Sequence, residues 1–112
     1  MSTVRLLRSS QLFTGVPYSY AATTDARLIF TAGACPLDAE GTVIGIGDIR
    51  AQAQQVMHNL ETILVEAGAT LGDVVQTVVY VASSQRSELV AAWDVVRARM
   101  VAMTQSRRSV AR

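Results

Sequence analysis

Cysteine, lysine, proline and aromatic residues are the scarce elements of this 112-residue chain, and each scarcity excludes something. A single cysteine, Cys35, rules out an intrachain disulfide. The ten basic residues are all arginine, so Schiff-base catalysis, a pyridoxal-phosphate anchor and a phosphate-loop lysine are excluded together. A GC-rich genome is the common origin of such a bias. Aromatics make up only 5% of the residues, too few to fill a large core. The formal net charge of +1 gives no general attraction to nucleic acid or to a membrane surface. No apolar run reaches transmembrane length, and the start, MSTVRLLRSS, lacks the apolar centre of a signal peptide. These exclusions predict one soluble, cytoplasmic domain over residues 1–112, of modal size, with a core small enough to favour self-association.

The most informative stretch is 48–81. Apolar residues at Ile49, Ala53, Val56, Met57, Leu60, Ile63, Leu64 and Ala67 recur at helical spacing and make one stripe. Asp48 is placed to cap that helix and Gly68 to end it. The β-branched run 74–81 reads as a buried strand. Upstream, 4–7, 19–22 and 27–32 read as strands, with a turn at 24–25, a loop over 12–17, and a further short strand at 42–44 after the turn 36–41. A second helix is expected over about 88–103, with Leu89, Ala92, Trp93, Val96 and Met100 on one face. Strands, helix, strand, helix predict an α+β layer, a mixed sheet covered on one face by two helices. After Arg97 the pattern fades: five of the ten arginines lie from there onward, and no strand signal follows. Residues 97–112 read as an atypical arginine-rich tail, of the kind a shifted reading frame would leave.

Several residue types that could carry chemistry have plainer roles. His58 shares the polar face of its helix with Gln54 and Glu61 and reads as solvated. Asp38 and Glu40 read as carboxylates of a solvated turn, and Cys35 as a buried structural thiol. Zinc, phosphate-loop, Ser-His-Asp and dinucleotide signatures are missing, so no metal and no cofactor are expected.

Three segments, taken in order, resemble the RidA family, also known as the YjgF or liver perchloric-acid-soluble protein family. Residues 15–19, GVPYS, resemble its G-P-Y-S loop. Residues 28–38, LIFTAGACPLD, resemble its strand and turn of the type L-V-F-V-S-G-Q-I-P-L-D. Residues 47–81 resemble its G-D-I-x-A-Q-x-x-Q-V-x-x-N-L helix and following strand. The resemblance implies a chorismate-mutase-like α+β fold, a homotrimer with clefts between subunits, and hydrolysis of enamines or imines such as 2-iminobutanoate and 2-iminopropanoate to 2-keto acids. By the same resemblance Tyr18, Ser19 and Gly33 would bind substrate. Arg107, or Arg108 in a register shifted by one, would hold the substrate carboxylate and serve catalysis. An arginine suits that role because its planar fork meets both oxygens.

Departures from the family pattern point the other way. Ala32 and Ala34 stand where serine and glutamine are usual, Val90 replaces a frequent asparagine, the proline before the arginine is missing, and so are the last strand and its glutamate. The alternative implied is a catalytically inactive trimer that binds a small carboxylate or is purely structural. An RNA-directed endoribonuclease ranks lowest, because no stacking aromatic accompanies the tail arginines.

Overall fold

The structure, a computed structural model, describes residues 4–23 and 28–110, with side chains as far as Ala102. Three short strands form an antiparallel meander: β1 (Arg5–Leu7), β2 (Ala21–Thr23) and β3 (Ile29–Thr31), in the order β1-β2-β3. The register sets Leu6 opposite Ala22 and Ala22 opposite Phe30. Because side chains alternate faces along a strand, these three form one row across the sheet. Leu6 and Phe30 are exposed in that row, while Ala21 and Thr23 on the other face are buried. The expected strands thus form within one or two residues of their expected places. The run 42–44 is reduced to a single bridge, Leu37 with Val43. The turn expected at 24–25 lies outside the described residues.

Helix α1 (Ile49–Glu66) follows the expected stripe. The Asp48 carboxylate accepts from the Ala51 amide at 3.1 Å, which satisfies one of the free donors of the first turn. Gly68 turns out of the helix at φ +87°, a conformation that carries little penalty only without a Cβ. α1 is the middle layer of the chain. One face packs Ile63 onto Leu12 and Ala21, with Leu7, Tyr20 and Ile29 around them. The other packs Met57 and Leu64 onto Leu71 and Val96. Leu60 touches both clusters.

Helix α2 (Arg86–Val110) lies against α1 and the single 3-10 turn Leu71–Asp73. The two helices therefore stack one on the other. The core clusters of the described residues join α1 both to the sheet and to α2. Glu61 and the Arg99 guanidinium make a two-pronged pair across the helix contact, and Arg50 lies 3.8 Å from Asp94. Trp93, expected to face inward, is half exposed, whereas Ala92 and Val96 are buried, and Val96 packs against Met57 and Leu64. The helix also runs further than expected, to Val110, as residues 86–110 contain neither glycine nor proline to stop it.

The clearest difference from expectation concerns 74–81. It forms no ladder with any described strand, and Val75 and Tyr80 are 99% and 92% exposed. Strand preference is largely a preference for packing on a neighbouring strand, and here no described strand lies alongside. The sheet is accordingly antiparallel throughout rather than mixed, and the class remains α+β. No strand follows α2 among the described residues, and none of their helices is long and apolar enough to cross a membrane.

Leu71 joins α1, the 3-10 turn and α2 and is the most buried side chain of the core. Replacing it with alanine should destabilise the fold by about 2–5 kcal/mol. A urea titration followed by far-ultraviolet dichroism would read this as a lower midpoint at an unchanged slope.

Candidate functional site

Three segments converge beside β2 and leave a small cleft. The first is the loop between β1 and β2, which supplies Phe13, Tyr18 and Tyr20. The second is the chain leaving β3, which supplies Ala32, Ala34, Cys35 and Leu37. The third is α1, which supplies Asn59 and Ile63. The enclosed volume is about 10 Å³, barely room for one water.

Each wall is held by a specific contact. Pairing continues past the strand ends, with the Tyr20 amide donating to Leu7 at 2.7 Å and the Ala32 amide to Tyr20 at 2.8 Å. The Tyr20 hydroxyl donates to the Phe13 carbonyl at 2.5 Å and closes the loop across its base. The Phe13 ring lies against Gly41, where an added Cβ would come within 2.5 Å of it. Gly41 has φ +84°, so both the ring and the backbone exclude a side chain there. The ring of Tyr18 meets that of Tyr20 edge-on, centroids 5.7 Å apart at 71°.

The α1 wall is polar at one point. Asn59 is only 8% exposed, and its amide nitrogen donates to the carbonyls of Cys35 and Leu37 at 2.9 and 2.7 Å. Its oxygen accepts from Gln55, one turn earlier, which also reaches the Leu37 carbonyl. The chain leaving β3 is thereby sewn to the helix.

Electrostatically the cleft is mild. Burial, then the neighbouring Tyr18, raises the Tyr20 phenol above its ordinary value, while Arg8 pulls it back. The Tyr20 proton is committed to the Phe13 carbonyl, so this phenol braces the loop.

The expected site residues are distributed unevenly. Tyr18 lines the cleft and is 37% exposed. Ser19 does not line it. Gly33 sits between two lining alanines, and a Cβ added there would meet nothing within 4 Å. The Arg107 and Arg108 side chains lie outside the described residues; their backbone belongs to α2. Cys35 is exposed at the cleft and not buried as expected, because the carbonyl of this residue, rather than its side chain, is what the helix holds. His58 is exposed and faces a groove between the helices with Glu61 and Arg99. Asp38 accepts from the Glu40 and Thr42 amides at 3.0 and 2.9 Å, a self-contained turn.

Three contributors carry little sequence signal. Asn59 could have been found as the one amide interrupting the buried side of α1. Tyr20 alternates with Tyr18 and differs only in burial. Arg8 donates to the Thr14, Val16 and Tyr18 carbonyls, acceptors that any residue type would offer.

Residues 9–109 match the sequence pattern of the family described as Endoribonuclease L-PSP. A RutC family protein of Pyrococcus abyssi is 47% identical over 64 residues, 57% of this chain and 50% of that protein. The 3-aminoacrylate deaminase RutC of Acinetobacter baylyi is 36% identical over 58 residues, 52% of this chain and 45% of its own length. The chain thus spans about half the length of these relatives. Among solved structures, a candidate endoribonuclease L-PSP of Entamoeba histolytica superposes with a TM-score of 0.76 at 25% identity, covering 87% of this chain and 76% of that one.

Asn59→Ala should leave the Cys35 and Leu37 carbonyls without their buried donor and lower stability by about 2–4 kcal/mol, measured by urea unfolding. Tyr20 gives a separate signature at high pH. Its folded pKa lies above the ordinary 10.0, so its contribution is fully present below pH 10 and is lost as pH rises through the folded value. Thermal melts of the native protein should fall across that alkaline window, and Tyr20→Phe should flatten the fall.

Proposed function

The chain belongs to the endoribonuclease L-PSP family, and on that premise we propose a RidA-like homotrimer that binds a small imine or carboxylate in clefts shared between subunits. There it hydrolyses an enamine or imine to a 2-keto acid and ammonia. The observation that carries this reading is the position of Tyr18 at a cleft of only about 10 Å³. A four-carbon acid does not fit in that volume, so a ligand would be enclosed only with a second copy of the chain closing over the Tyr18 side. The exposed row of Leu6 and Phe30 on the outer sheet face offers apolar surface for such an assembly. The relative named as a 3-aminoacrylate deaminase acts, by that name, on an enamine acid.

The chemistry requires little machinery. An enamine tautomerises to its imine, whose carbon is already electrophilic. Water adds to that carbon and one of its protons passes to nitrogen, giving a carbinolamine. The hydroxyl proton then moves to nitrogen as the C–N bond breaks, leaving the keto acid and ammonia. The protein's part is to fix the carboxylate, place the water and stabilise the developing charge. The Tyr18 hydroxyl is the donor at the cleft, and Arg107 is assigned the carboxylate. Leu12, Phe13 and Ile63 keep the floor apolar, which strengthens each polar contact made above it.

A second reading, a trimer that binds a carboxylate without turning it over or is purely structural, draws support from Ala32 and Ala34. Both line the cleft and bring no polar group to the water. An RNA substrate has less support. Arg8, Arg50 and Arg99 are engaged by protein carbonyls and carboxylates instead of being presented to phosphates.

Light scattering should give three times the 12.0 kDa of one chain, and Phe30→Glu should shift this toward the single-chain mass. Freshly generated 2-iminopropanoate should release pyruvate faster with the protein than in buffer. Tyr18→Phe should cut kcat/KM by about 10²-fold, and Arg107→Ala should act mainly on KM. Binding of 2-oxobutanoate without turnover would select the second reading.

A further inference from the structure

Residues 14–18 belong to no strand or helix, and their backbone forms only a tight turn at Thr14–Gly15. The longer-range hold on this loop comes from side chains. Three of its five carbonyls turn to one point. Thr14, Val16 and Tyr18 accept from the Arg8 guanidinium at 2.9, 2.7 and 2.8 Å. Alternate carbonyls gathered on one side suit a multi-donor cation, and here Arg8 supplies it. A guanidinium has five N–H donors in fixed directions and stays charged at any working pH.

Arg8 is itself well anchored. It follows β1 directly, where the Leu7 carbonyl accepts from the Tyr20 amide. The loop leaves this strand and returns to it, and Tyr20 closes its base through the Phe13 carbonyl. Pro17 lies between two of the acceptors and has no N–H to compete. Arg8 does not line the cleft, whereas Tyr18 does. The guanidinium thus grips the backbone of the one aromatic residue that reaches the cleft from this loop's tip, and it does so from behind.

We infer that Arg8 is a positioning residue: its guanidinium holds the 14–18 loop in the shape that places the Tyr18 ring at the cleft, and ligand affinity there depends on it without contact between Arg8 and the ligand. The ligand half of this inference rests on the binding site proposed above, and the loop half stands on the hydrogen bonds alone.

Two measurements on the full chain test the halves separately. Limited chymotrypsin cleavage after Tyr18, with no ligand present, reports the hold on the loop. Arg8→Met should be cut about tenfold faster than the native protein. Arg8→Lys, which keeps the charge and loses the fork, should fall between the two, and low millimolar guanidinium should slow cutting of Arg8→Ala. Titration with 2-oxobutanoate, followed by calorimetry, reports the site. Affinity should drop about tenfold in Arg8→Met, and the Arg8→Met/Tyr18→Phe double variant should lose less than the sum of the two single losses. A thermal melt near the native one in Arg8→Met confines the effect to the loop. Unchanged cleavage in Arg8→Met overturns the inference. So does full recovery of both readouts in Arg8→Lys, which would make charge alone sufficient. If the native protein binds no 2-oxobutanoate, the proposed site falls and takes the ligand half with it, while the cleavage series still decides the loop half.

Discussion

A single buried carboxamide couples the helical and sheet halves of this chain. Asn59 sits on α1 with its nitrogen against two carbonyls of the chain leaving β3 and its oxygen against Gln55. A buried amide left unpaired is costly, so helix and chain exit are constrained to one relative placement. Apolar packing alone would not fix this. Leu60 and Ile63 could slide along their partners at small cost, whereas two hydrogen bonds to successive-but-one carbonyls define a register. The wall formed by residues 32–37 stands where it does because of Asn59. The cleft exists because that wall faces the loop carrying Tyr18 and Tyr20.

The cleft is built by opposite strategies on its two sides. The α1 side is rigid, since its polar atoms are buried and satisfied. The loop side depends on the Tyr20 hydroxyl, the Phe13 ring against Gly41 and the Arg8 guanidinium. Such a division suits a binding site, where one wall supplies a fixed reference and the other carries the group that meets the ligand. It also locates the polar economy of the chain. Arg8, Arg50 and Arg99 spend their donors on the protein's own carbonyls and carboxylates, and among the described residues no buried side-chain polar atom lacks a partner.

Much of the fold was legible in the sequence because it is local. The cap at Asp48, the stripe from Ala53 to Leu64 and the stop at Gly68 each follow from interactions within a few residues. The strands at β1, β2 and β3 follow from alternation between turns. The run 74–81 was misread for an equally physical reason. Its β-branched residues state a preference, but a ladder needs a neighbour, and no local pattern reveals whether one is there. Trp93 was misplaced because its helix has two apolar arcs, and the one buried carries Ala92 and Val96, of which Val96 packs on α1.

Of the expected ligand-binding residues, Tyr18 is the one whose side chain lines the cleft, and a motif rather than a local rule had singled it out. Side-chain types and spacings determined by themselves the α+β class, the family and the exclusion of lysine, disulfide and phosphate-loop chemistry. Only the tertiary structure decided that Cys35 faces outward, that Asn59 faces inward, and that Arg8 closes on three carbonyls. The reason is common to all three. Each depends on backbone carbonyls brought from elsewhere in the chain, and every residue carries the same carbonyl, so sequence identity cannot mark which ones will be met.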